Sequence, residues 1–241
     1  MKLPSLYKVF QDKWEKYQSC WIISDTHFKD EELRAGVRDR LTDDELIKKI
    51  NSKVGNRDIL IHLGDVGDIE CVRRLKGYKV LVMGNHDQGR TNYERKIIYE
   101  QYDIDKYDKD EVYKIVREKY PGHRIEVIKS YDFHAPFISW RVAIDNCLFD
   151  EVYEGPLMIG EKILLSHEPI QNINWAFNLH GHNHDKSVKN DKYHYNFCAD
   201  VINYEPINFN TILKSGSMAK ISSIHRITID KATERKNKKE Y

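Results

Sequence analysis

The chain has 241 residues, 40% hydrophobic and 32% charged, which is enough to bury a full core and too apolar for a disordered segment. Lysine plus arginine (39) and aspartate plus glutamate (38) nearly cancel, so the broad positive field of a non-specific nucleic-acid binder is excluded and any polyanion must be met locally. No run approaches the roughly 20 apolar residues of a membrane span, and the N-terminus lacks the apolar stretch of a signal peptide; a cytoplasmic protein with no membrane partner is expected.

In chain order, CWIIS (20–24) is a short apolar run of the buried-strand type. TDDELIKKINSKV (42–54) follows as a helix: Thr42 and Glu45 form a capping box, acids fill the first turn, and Leu46, Ile47, Ile50 and Val54 share a face. ILIHL (59–63) is a second strand, DIECVRRLK (68–76) a shorter helix stopped by Gly77, and KVLVM (79–83) a third strand. Strand, helix, strand is the pattern of parallel pairs joined by crossovers, hence an α/β core.

From 91 to 148 the pattern changes to charged, tyrosine-rich sequence. TNYERKIIYEQY (91–102), with a Thr91/Glu94 box, and DKDEVYKIVREKY (108–120), ended by Pro121, are expected as helices of an insertion or cap. KILLS (162–166) and NLH (178–180) complete the strands, and a basic tail at about 231–241 is expected to fray. One domain over 1–241 accommodates all of this. Cys20, Cys71, Cys147 and Cys198 are far apart with no CxxC pair, which fits reduced thiols.

Each apolar run stops at groups able to bind a metal: Asp25 and His27 in DTH, Asp65 and Asp68 in GDVGD, Asn85, His86 and Asp87 in GNHD, His167 in HEP, His182 and His184 in GHNH. Ligands of open α/β sheets gather beyond the carboxyl ends of the strands, so these clusters can be neighbours in space. Gly64, Gly84 and Gly181 sit at the exits, where a missing Cβ permits a tight turn. Oxygen and imidazole without thiolate suit Mn, Fe, Zn or Ni. A single ion would leave many of these groups idle, whereas two ions about 3.5 to 4 Å apart, sharing a carboxylate, would use them.

DTH, GDVGD, GNHD, SHEP and GHNH occur in the order of the signature motifs of the calcineurin-like metallophosphoesterases, and residues 20–185 resemble that family. NFCADVINYEPINF (196–209) is similar to the close of the core in its small bacterial and phage members. The resemblance implies a β-sandwich core flanked by helices, with a helical insertion, and two divalent metal ions, manganese first among the candidates. It implies that Asp25, His27 and His184 hold one ion, that Asn85, His167 and His182 hold the other, and that Asp65 bridges them. A bridging hydroxide would attack phosphorus, His86 would protonate the leaving group, and Asp68 would orient the His86 ring. His62 and His180 belong to strands and are expected to be structural. Asp87 is expected as a loop-stabilising acceptor, and His123, His134, His194 and His225 belong to no motif.

Departures from the family's branches bear on substrate. Protein phosphatases of the family carry arginine after the second aspartate of GDxxD and read GNHE; here Ile69 follows Asp68 and the motif is GNHD. Arg90 could substitute as a phosphate clamp or could simply face solvent. These features favour a phosphodiesterase acting on a nucleotide or short oligonucleotide over a phosphomonoesterase or protein phosphatase. Tyrosines 93, 99, 102, 107, 113 and 120 could stack on bases or simply pack. A non-catalytic scaffold of the same fold should have lost ligands, and none of the expected groups is missing. No protein partner is predicted.

Overall fold

The computed structural model describes residues 2, 5–36, 40–87, 93–131 and 138–237, with 232–237 as backbone alone. The elements run α1 (Lys8–Trp14), β1 (Cys20–Ile23), α2 (Glu31–Gly36), α3 (Asp43–Lys53), β2 (Ile59–His62), α4 (Ile69–Arg73), β3 (Tyr78–Val82), β4 (Ile97–Asp103), α5 (Lys109–Lys119), β5 (Arg124–Tyr131) and β6 (Ile138–Asp145). They continue β7 (Glu151–Tyr153), β8 (Leu157–Gly160), β9 (Ile163–Leu165), β10 (Phe177–His180), β11 (His194–Asn196), β12 (Ile207–Asn208), α6 (Phe209–Lys214) and α7 (Ile224–Asn237).

Every apolar run expected as a strand is one. They make two sheets, ordered β12-β1-β2-β3-β7 and β11-β10-β9-β8. In the first, β1, β2, β3 and β7 are parallel and β12 is antiparallel. In the second, β9, β10 and β11 are parallel and β8 is antiparallel. Alternate residues divide the work. Cys20, Ile22, Ile59, Ile61, Val80 and Val82 pack on Ile163, Leu165, Phe177 and Leu179 to form the sandwich core. Ile23, Leu60 and Leu81 point the other way, onto Leu46, Ile47 and Ile50 of α3 and Cys71 and Val72 of α4. Strands covered on both faces read as continuous apolar runs, which is why these were visible without alternation.

The capping box of α3 is formed: Glu45 N–H donates to Thr42 Oγ1 at 3.4 Å and Thr42 N–H to Glu45 Oε2 at 3.0 Å. Helix α4 is shorter than expected, and Gly77 turns at φ +89° after it. Of the free cysteines, Cys20, Cys71 and Cys198 are buried and Cys147 is half-buried. Among the described residues no helix is long and apolar enough to cross a membrane.

The region expected as a helical insertion differs. Helix α5 forms, capped by Asp108 and Glu111, but 97–103, most of whose residues were expected in a helix, is strand β4 in an antiparallel sheet ordered β4-β6-β5. Thr91 lies outside the described residues, as does Arg90. Ile97, Ile98, Tyr99 and Tyr102 satisfy a helical spacing, but they are β-branched and aromatic residues, and β6 offers a full ladder from Ile97↔Asp145 to Asp103↔Ser139. Partner strands decide such ambiguous sequence. The alternation of Ile125 with Val127, and of Trp140, Val142 and Ile144, was the period-two signal for that partner sheet. Val112, Val116, Val127, Val142 and Ile144 give it a small core of its own. The basic tail is helical backbone as far as Asn237.

Candidate metal centre

The exits of β1, β2, β3, β9 and β10 converge. Asp25, His27, Asp65 and His182 all adopt positive φ, at 56°, 41°, 54° and 67°, a region that excludes most side chains and is best tolerated by Asn, Asp and His after glycine. Gly64, at φ +95°, has no room for more: a Cβ there would lie 2.5 Å from the Gly84 nitrogen and 2.8 Å from His167 Nδ1. A side chain at Gly181 would collide with Ser24 and Asp25. The chain turns tightly because the ends of two sheets are packed against each other, and Ser24 and Cys198 bridge them.

Two groups of ligand atoms result. Atoms of Asp25, His27 and His184 lie within 4.8 Å of one another, and so do atoms of Asp65, His167 and His182. Asp65 Oδ2 sits between the groups, 3.5 Å from His27 Nε2 and 3.2 Å from His167 Nε2. Asn85 and His86 are exposed on the β3 exit. The His86 backbone N–H donates to Asp65 Oδ1 at 2.9 Å, its Nε2 is 4.0 Å from Asp65 Oδ2, and its ring meets that of His27 edge-on at 5.3 Å.

The imidazoles are oriented from behind. His167 Nδ1 is 2.9 Å from the Leu63 carbonyl, His184 Nδ1 is 2.6 Å from Asp200 Oδ2, and His27 Nδ1 is 3.2 Å from Asp30 Oδ2. An acceptor on Nδ1 fixes the proton there; in His27 and His184 this leaves Nε2 without a hydrogen bond, the usual arrangement of a metal-binding histidine, whereas His167 Nε2 lies 3.1 Å from His182 Nδ1 and 3.2 Å from Asp65 Oδ2. His27 Nε2 is buried with no hydrogen-bond partner. Burial raises the Asp25 carboxyl above its ordinary range, against the pull of His167, Ser24, His184 and the His182 N–H. Burial also presses on Asp65, but its hydrogen bond with His167 wins and holds it at about 2. A bare buried nitrogen and a penalised buried carboxylate are what a cation would satisfy, so the donor set fits divalent ions.

Around the ligands, Asp87 accepts from the N–H groups of Asp65 (2.7 Å), Val66 (3.0 Å) and Gly84 (2.9 Å) and from Tyr93 Oη, so it braces the exits of β2 and β3 as expected. Asp68 does not meet His86 in any hydrogen bond or ion pair among the described residues: its Oδ1 caps α4 and pairs with Lys29 Nζ at 3.1 Å. His180 is buried, with Nδ1 on the Gly181 carbonyl. Sequence reading missed Asp30, Arg40 and Asp200. The first lies three residues after His27, in the loop before α2, and the last within the stretch following GHNH, but Arg40 carried no signal.

His62 is structural, as expected. Gly64 N–H donates to its Nδ1, so Nε2–H donates to Thr26 Oγ1 at 2.9 Å, which donates to the Val66 carbonyl at 2.8 Å. Burial lowers its pKa to about 4, while in the unfolded chain it titrates near 6.5. Between those values the unfolded state binds the proton that the folded ring refuses, so stability falls as pH drops. Urea unfolding of the metal-free protein should lose about 3 kcal/mol from this group between pH 7 and pH 4. His62→Gln should flatten that part of the profile; an unchanged slope would contradict the assignment.

The family model described as calcineurin-like phosphoesterase matches residues 19–202. None of the curated proteins matches the chain. Among solved structures, the crystal structure of the protein of unknown function AQ665 from Aquifex aeolicus is 22% identical, with a TM-score of 0.46 over 81% of this chain and 98% of that one. With most of its length matched by the family model, the chain belongs to the calcineurin-like phosphoesterase family and is a metal-dependent phosphoester hydrolase.

Proposed function

We propose that the protein is a dinuclear phosphodiesterase acting on a nucleotide or short oligonucleotide, with manganese as the cation. Asp25, His27 and His184 would hold one ion, Asn85, His167 and His182 the other, and Asp65 would span both. The position of Asp65 Oδ2, facing a histidine of each group at 3.5 and 3.2 Å, carries this reading. When bound, the pair of cations supplies Lewis acidity and a water of lowered pKa.

The chain's own groups do the rest. His86, with a side chain 59% exposed beside Asp65, stands where a departing alkoxide needs a proton. Asp68 could orient that ring only by leaving the cap of α4; the Asp65 carboxylate and the edge of His27 are the neighbours that now position it. Beside His86 opens a cavity of about 280 Å³ whose walls include Asp30, Glu31 and Glu32. Those carboxylates disfavour a long polyanion and support a small substrate.

Metal analysis followed by assays on bis-nitrophenyl and mono-nitrophenyl phosphate tests the reading. Two manganese ions per chain and faster hydrolysis of the diester are expected. A faster monoester would move the protein to the phosphomonoesterase reading, and no turnover with any divalent metal would leave a scaffold.

A further inference from the structure

Behind His184 lies a buried network that the catalytic reading does not use. Asp200, 1% exposed, accepts from His184 Nδ1 at 2.6 Å and from Arg40 Nη1 at 2.5 Å on Oδ2, and from Tyr204 Oη at 2.6 Å on Oδ1. The Arg40 side chain is itself only 3% exposed. Its Nη2 donates to the carbonyls of Asp25 (3.2 Å) and Thr26 (2.8 Å). A guanidinium taken out of water at this depth must have its charge and donors met, and here they are met by the carboxylate behind one ligand and by the backbone that carries another. Arg40 therefore ties together Asp25 and His184, two members of the same ligand group, and makes no hydrogen bond or ion pair with Asp65, His167 or His182 among the described residues.

We propose that Asp200, clamped by Arg40 and Tyr204, is a positioning residue that sets the cation affinity of the Asp25/His27/His184 group and leaves the other group alone. Burial works against the Asp200 charge, but the Arg40 guanidinium and the hydrogen bonds from His184 and Tyr204 engage both of its oxygens as acceptors. His184 is then locked with its proton on Nδ1 and Nε2 turned toward Asp25 Oδ1, 3.6 Å away. The fixed guanidinium keeps the Asp25 turn, at φ 56°, at constant distance from that imidazole. A carboxylate behind a ligating histidine contributes about 10- to 100-fold in metal affinity.

The proposal rests on the two-cation reading, and calorimetric titration of the metal-free protein with manganese separates the two. Wild type should bind two ions; if it binds fewer, the dinuclear reading fails whatever the variants do. Asp200→Ala should weaken one site about 10- to 100-fold and leave the second unchanged. Asp200→Asn can keep its amide oxygen toward Arg40 and His184 and turn its NH2 toward the Tyr204 hydroxyl, so it should recover most of that loss. Nitrogen-15 spectra of the histidine rings should show His184 protonated on Nδ1 in wild type and a mixture of tautomers in Asp200→Ala. Should the alanine variant not fold, Tyr204→Phe, which removes a single hydrogen bond from Asp200, should weaken the same site by a smaller factor. Equal weakening of both sites, or of neither, with wild type binding two ions, would overturn the positioning role.

Discussion

Asp65→Asn should abolish catalysis and strip both cation sites at once. The substitution fits the backbone: Asn tolerates the left-handed φ of 54° as well as Asp does, so the turn after β2 survives. The Asn side chain can still accept from the His86 N–H through one oxygen. It removes the negative charge that lies between His27 and His167. Metal ions contribute several kcal/mol of transition-state stabilisation, and losing about 5 kcal/mol corresponds to a rate lower by roughly 10⁴. Manganese titration and diester hydrolysis would check both halves of this expectation. Loss of a single ion, with the second bound at wild-type affinity, would mean that Asp65 serves only one group.

His86→Ala should separate chemistry from binding. The ring is exposed and touches the centre at its rim, so its removal should leave cation stoichiometry and affinity unchanged. Turnover of an alkyl phosphodiester should drop about 10²- to 10⁴-fold, the size of general acid catalysis. A nitrophenyl ester, whose leaving group is stable as an anion, should be affected far less. Equal loss on both esters would show that His86 acts on the phosphoryl group and not on the departing oxygen.

What was legible in the sequence was whatever repeats a local rule. The strands of the sandwich were visible because burial on both faces makes them uniformly apolar, and the cluster of candidate ligands because each lies just beyond the end of such a strand. Helix α3 was visible from Thr42 and Glu45. The β4-β6-β5 sheet was not, because Ile97, Ile98, Tyr99 and Tyr102 satisfy a helical spacing and only pairing with β6 settles the choice. Arg40 was invisible for a related reason: nothing near it in sequence announces that its partner is Asp200. Asp68 misled in the opposite direction. Its place in GDVGD suggested a role at the His86 ring, while its position just before Ile69 made it the natural cap of α4, and the local bond prevailed.

The left-handed turns at Asp25, His27, Asp65 and His182 also limit how the protein could be retuned. At those positions the amino acids able to coordinate an ion and those able to hold the backbone are nearly the same short set, so exchanging one for cysteine or glutamate would distort the peptide before it altered ion preference. Of the proposed ligands, Asn85, His167 and His184 are free of that constraint. With the ion-binding roles proposed above, a laboratory seeking an enzyme that favours a softer metal should begin at those positions.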